Sequence, residues 1–149
     1  MTQTPPLLTV TDTAADILRR QMQGSVLIPG DPGYDEARTI WNGMIDRRPA
    51  VIARCESTAD VVAALAHARE HNLLISVRGG GHSLPGHSVN DGGIMIDLSP
   101  VKRIEVELRQ RIVRAQPSLL WGELDAATHA HGLAVTGGQA QGRARTPDF

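Results

Sequence analysis

The sequence predicts an α+β fold on three grounds. Short apolar runs of strand length alternate with helical periodicities, and from residue 50 onward the order reads β, α, β, loop, β, β, β, α, β. Two of the strands face each other across a short polar turn, where strict βαβ winding would place a helix. The size agrees: 149 residues suit one domain, and 41% hydrophobic with 21% charged residues is ordinary globular usage.

The first element is a lead-in over residues 1–26, in which Ala14, Ile17, Leu18 and Met22 recur at helical spacing behind Thr11 or Asp12 as the cap. The turn formers Pro29, Gly30, Asp31, Pro32 and Gly33 follow, then a short helix over Glu36 to Ile40. Ala50 to Arg54 reads as a strand. Ser57-Thr58-Ala59-Asp60 is a capping box that opens a helix running to about His71, with Val61, Val62, Leu65 and Ala68 as its inward stripe and Arg69, Glu70 and His71 as its polar end. Leu73 to Val77 is predicted to be a strand buried on both faces, because consecutive Leu73, Leu74 and Ile75 leave no wet side.

A glycine-rich loop from Arg78 to Gly93 leads to a strand over Ile94 to Leu98, and Arg103 to Glu107 with Arg111 to Ala115 forms a hairpin with one wet face. Pro117 and Ser118 start a second helix whose apolar face is Leu119, Leu120, Leu124 and Ala127, and Gly132 stops it. Leu133 to Thr136 begins one more strand. Residues 139–149 contain no Leu, Ile or Val and are expected to fray.

Composition also excludes functions. Fifteen Lys and Arg against sixteen Asp and Glu give a net charge of -1, without the basic footprint of a nucleic-acid or anionic-membrane binder. Cys55 is the single cysteine, so no intrachain disulfide or thiolate-rich zinc site can form. The N-terminus lacks the charged and apolar regions of a signal peptide, and no run of about 18 apolar residues spans a bilayer, so a cytoplasmic location is expected. Only Tyr34, Trp41, Trp121 and Phe149 are aromatic, which predicts an aliphatic core and no aromatic-lined pocket.

Six of the fifteen glycines lie between Gly79 and Gly93. Without Cβ atoms, consecutive glycines let backbone N–H groups converge on an anion such as a pyrophosphate. The loop lacks Gly-Lys-Ser/Thr and precedes a strand, so neither the Walker nor the Rossmann pattern applies. On composition alone it reads equally well as a long exposed turn.

The segment Ser76-Val77-Arg78-Gly79-Gly80-Gly81-His82-Ser83, followed by Gly86 and by Gly93-Ile94-Met95-Ile96-Asp97-Leu98-Ser99, resembles the FAD-binding domain of the oxidases related to berberine bridge enzyme, in the wider group of vanillyl-alcohol oxidase and p-cresol methylhydroxylase. The likeness runs from about Leu27 to Gly138. It includes Pro29 to Tyr34, Trp41-Asn42-Gly43-Met44, Arg47 to Ala50, Trp121 to Asp125 and Gly132 to Gly138. The resemblance implies a partial FAD-binding domain over residues 27–138. Arg78, Gly79, Gly80, Gly81, His82, Ser83 and Gly86 would bind FAD, and His82 would stand where the family bonds the flavin covalently through a ring nitrogen.

Two positions depart from the family's pattern. Many members carry a second tether, a cysteine, in the segment that here reads Gly132-Leu133-Ala134-Val135, and Ser118 replaces the glycine usual after the proline. At most one covalent link is therefore expected, with Cys55 a small, partly buried residue. The resemblance further implies a hydride transfer from a small-molecule substrate to flavin. Residues 139–149 do not resemble the family's second glycine-rich segment, and no substrate domain follows them, so little turnover is expected. A non-catalytic remnant or partner-binding module, its open sheet edge completed by another chain, is the alternative.

Other signals are weaker. His67-Ala68-Arg69-Glu70-His71 matches a zinc-peptidase pattern but reads as a solvated helix end, and His129 and His131 as a helix C-terminus favoured by the dipole. Asp97 reads as a turn cap. Ser83 and Ser88 lack the strand-to-helix elbow of a hydrolase.

Overall fold

The computed structural model describes residues 10–136. Helix α1 (Val10–Gln21) leads into strand β1 (Ser25–Leu27) and the single-turn helix α2 (Tyr34–Ala37). Strand β2 (Val51–Arg54), helix α3 (Thr58–Glu70), strand β3 (Ile75–Arg78) and strand β4 (Ile94–Asp97) follow. The hairpin β5 (Ile104–Glu107) and β6 (Ile112–Ala115) and helix α4 (Trp121–His129) complete the described part. Thr11 and Asp12 fall inside α1 instead of capping it. The expected frayed tail, residues 139–149, lies outside the described residues.

One sheet has the order β1-β2-β4-β3, with β1 antiparallel and the other three strands parallel. The predicted α+β class holds, and the sheet contains two parallel crossovers, β2 through α3 to β3 and β3 through the glycine loop to β4, which inserts between β2 and β3. On one face, Val51, Ala53, Ile94 and Ile96 pack against Ala15 and Leu18 of α1 and Ala64 and Ala68 of α3. On the other, Ile52 and Met95 meet Tyr34, Ala37, Ile40 and Val89. Tyr34 is buried and its hydroxyl donates to the Pro49 carbonyl at 2.6 Å, which seats α2 two residues earlier than its spacing predicted.

The Ser57 capping box forms as read: Ser57 Oγ accepts from the Asp60 N–H at 3.2 Å, and the Asp60 carboxylate accepts from the Ser57 N–H at 3.3 Å. The stripe of α3 is rotated from the one predicted. Val62 and Leu65 face outward, while Asp60, Ala64 and His67 face inward beside Ala68 and the partly buried Val61, the two predicted positions that do pack on the core. The prediction for β3 also fails. It is an edge strand, and Leu74, Ile75 and Val77 are exposed, Val77 by 53%. Ile75 and Val77 align with Ile94 and Ile96 on the α3 face, but no helix among those described covers this margin.

The hairpin matches its pattern, with Arg111 turning the chain at φ 54. Helix α4 starts three residues after Ser118, and the Leu120 N–H donates to Glu123 Oε2 at 2.8 Å. Gly132, at φ 67, ends the turn after α4 as read. Leu133 to Thr136 forms no strand, since it finds no hydrogen-bonded neighbour in either sheet among the described residues.

His67 is only 5% exposed, not the solvated end expected of it, and its ring lies 4.5 Å from that of exposed His71. Burial first, and then the His71 charge, hold its pKa below the ordinary 6.5, with Glu70 opposing. The unfolded chain therefore takes up this proton at higher pH than the folded chain does. The stability His67 allows is complete above about pH 6.5 and is lost as pH falls below it. Thermal unfolding between pH 7 and pH 5 should show a falling Tm that His67→Leu flattens.

Candidate functional site

The parallel strands β2, β4 and β3 end side by side, and their last residues, Arg54, Asp97 and Arg78, align in register. Asp97 is fully buried. Its Oδ1 accepts from the Ser99 N–H at 3.0 Å, which makes it the turn cap predicted. Its Oδ2 lies 3.3 Å from Arg54 Nε and 3.8 Å from Arg78 Nη1, so it also holds the two guanidinium groups apart. Arg78 donates through Nη1 to the Ala37 carbonyl. Its Nε is buried and, among the described residues, has no hydrogen-bond partner.

Beyond Arg78 the loop opens into a cleft of about 230 Å³. Arg78, Gly79, Gly80 and His82 form one wall, Thr39, Ile40 and Trp41 a second, and Ser99, Lys102, Ser118 and Leu120 a third. The lining carries two permanent cations and no carboxylate. Among the described residues, no backbone N–H from Gly79 to Ser83 donates to another protein group. One close approach requires glycine here, since a Cβ at residue 79 would lie 2.9 Å from the Pro117 carbonyl oxygen, while one at residue 80 would lie 2.8 Å from the exposed His82 ring and displace it.

Of the residues the sequence singled out, the structure brings Arg78, Gly79, Gly80 and His82 to the cleft. Gly81, Ser83 and Gly86 shape the loop behind it. Gly81 turns the chain at φ 70, Ser83 Oγ accepts from the His87 N–H at 3.0 Å, and Gly86 sits against Ile45. Ser118 does not obstruct the cleft, because its hydroxyl turns away to donate to the Leu98 carbonyl at 2.7 Å. Sequence reasoning missed Lys102, whose Nζ rests 3.4 Å from Glu123 Oε1, and Trp41. No periodicity marks either of them. Trp41 also corrects the expectation of a site without aromatic lining.

The other candidates stay apart. No group of three or more metal-ligating side chains exists among the described residues, so His67 and His71 have no third partner. Cys55, read as small and partly buried, is fully buried, and burial pushes its thiol up to about 12, with the Asp60 and Asp97 charges adding, which makes it inert. No helix among those described is long and apolar enough to cross a membrane.

A buried donor without a partner, unengaged N–H groups and a cationic lining are what a pyrophosphate requires. The profile of a family described as FAD binding domain matches residues 49–143. The chain belongs to this FAD-binding family.

Its curated relatives include FAD-linked oxidoreductases and a hydroxynicotine oxidase. The FAD-binding chain is 38% identical over 117 residues to (R)-6-hydroxynicotine oxidase of Paenarthrobacter nicotinovorans, covering 78% of this chain and 26% of that protein. It is 32% identical over 120 residues to an FAD-linked oxidoreductase of Bacillus subtilis, covering 80% and 27%. The crystal structure of 6-hydroxy-D-nicotine oxidase from Arthrobacter nicotinovorans superposes with a TM-score of 0.71 at 37% identity, over 74% of this chain and 24% of that one. Carbohydrate oxidase from Microdochium nivale shares the fold at a TM-score of 0.74 and 24% identity, over 84% of this chain and 27% of that one. The chain thus spans about a quarter of the length of the curated relatives it matches.

The residues present fit FAD. The cleft is smaller than the roughly 300–1,000 Å³ of a pocket that encloses a whole ligand, and it has the size and charge of a phosphate-binding wall.

Proposed function

We propose that the chain binds FAD with its pyrophosphate against Arg78, Gly79, Gly80 and His82, with Gly81, Ser83 and Gly86 shaping the loop behind them and His82 as the point of covalent attachment. The observation that carries this reading is the run of unengaged N–H groups from Gly79 to Ser83 beside the unpartnered Arg78 Nε.

Each residue then has a task. The N–H groups meet the phosphate oxygens, and the Arg78 guanidinium, steadied by Asp97, balances their charge. Lys102 adds a second cation from the opposite wall. His82, exposed at the cleft, would bond a ring nitrogen to the flavin methyl carbon in place of a C–H hydrogen, the flavin ring itself taking up the two electrons and the two displaced protons. When bound, FAD supplies two-electron chemistry, here the acceptance of a hydride from a carbon of a small-molecule substrate. Among the described residues the cleft offers no carboxylate and no second histidine as a base for a substrate, so the chain alone is read as a flavin binder with little or no turnover.

The attachment is tested by acid precipitation of the purified chain. Yellow colour is expected to stay in the pellet of the unmodified chain and to leave it in His82→Ala. A colourless pellet from the unmodified chain contradicts covalent attachment, and flavin absent from the supernatant as well contradicts binding altogether. A second reading, a module completed by another chain, has one observation in its favour, the exposed apolar edge of β3. It predicts a preparation without flavin.

A further inference from the structure

We propose that Trp41 is the stacking platform of the site, its indole lying against the flat ring system of the flavin at the His82 side of the cleft. This rests on the FAD reading above. Three observations lead to it.

Trp41 is 62% exposed in a chain that has only two tryptophans, and its side chain lines the cleft. Its position is set by the cofactor loop: the Trp41 N–H donates to the Gly81 carbonyl at 3.2 Å, one residue from His82. The stretch behind it is stapled to the same loop, by Asn42 Nδ2 to the Leu84 carbonyl at 2.8 Å and by Arg47 Nη1 to the Gly86 carbonyl at 2.9 Å. The backbone of Trp41 and the loop therefore hold a fixed relation, and the exposed indole projects from that fixed point.

The chemistry of the walls assigns the ring. Lys102 with Ser99 makes part of the lining cationic and polar beside Leu120, which suits phosphate, whereas Ile40 and Trp41 beside Thr39 offer an apolar and aromatic surface, which suits a planar heterocycle. A ring held at His82 would meet the indole at that side.

The test uses a His82→Ala background, in which all flavin is bound reversibly. The dissociation constants of FAD and of ADP, measured by equilibrium dialysis, and the emission of bound flavin are compared for Trp41, Trp41→Phe and Trp41→Leu, with far-UV circular dichroism confirming the fold of each. Trp41→Leu should bind FAD about five-fold more weakly, leave ADP affinity unchanged and raise the emission of the bound flavin severalfold, while Trp41→Phe restores the affinity. Unchanged FAD affinity and emission in Trp41→Leu would overturn the proposal, as would an equal loss of ADP affinity, which would place the indole at the adenine end. If the His82→Ala parent itself retains no FAD, the cofactor reading fails first and the platform falls with it.

Discussion

Replacing Asp60 with alanine is expected to lower the unfolding free energy by about 3–5 kcal/mol, measured by urea denaturation followed by circular dichroism. The residue is 1% exposed, and its carboxylate is the hub of the α1, β1 and α3 junction. It accepts from the N–H groups of Gln23 at 2.8 Å, Gly24 at 3.1 Å, Glu56 at 2.9 Å and Ser57 at 3.3 Å. Burial pushes its pKa up, yet the N–H groups of Glu56, Gln23, Gly24 and Ser57 outweigh burial and hold it below the ordinary 3.8. Its contribution is therefore present above about pH 3.8 and lost as pH falls below that value. Alanine removes all four acceptor contacts at once and strands the donors. The Asp60→Asn variant would keep one carbonyl acceptor, so its loss should be smaller than that of Asp60→Ala.

Gly79→Val should leave the fold nearly intact and remove most FAD affinity. The β-carbon would stand 2.9 Å from the Pro117 carbonyl oxygen, a backbone atom that cannot swing aside, so the loop must move away from that wall. The N–H groups of Gly79 and Gly80 then lose their alignment on the phosphates. Hydrogen bonds to charged oxygens contribute about 1.5–3 kcal/mol each, so in the His82→Ala background, where FAD binds reversibly, an affinity loss of about 100-fold is expected by calorimetric titration. Because no core side chain is touched, Tm should move by about 3 °C at most.

Local chemistry in this sequence was legible where a few residues decide the backbone. Ser57 and Asp60 satisfy each other in any context, so the start of α3 could be read directly, and the turn before Arg111 and the stop at Gly132 were equally self-contained. The composition of the glycine loop left an anion cradle and a long exposed turn equally open, and the resemblance supplied the cofactor. Burial was legible only in part. The apolar run at Leu73 to Val77 has the same composition as a central strand, but β4 inserts between β2 and β3 and leaves β3 at the edge, a fact of topology with no local signal. His67 is inward while Val62 and Leu65 are outward, so hydrophobicity alone does not mark which positions of α3 beyond Val61 and Ala68 meet the core. Trp41 and Lys102 reach the cleft from segments distant in sequence, and only the closed fold brings them beside Gly79 and Gly80.

The central claim is that FAD lies against the loop from Arg78 to Ser83. Its most direct measurement is the change in backbone amide chemical shifts of the isotope-labelled chain on saturation with FAD. The account predicts the largest shifts at Gly79, Gly80, Gly81 and His82, with smaller ones at Lys102 and Ser118 across the cleft. Shifts centred elsewhere, or none at saturating FAD, would contradict it.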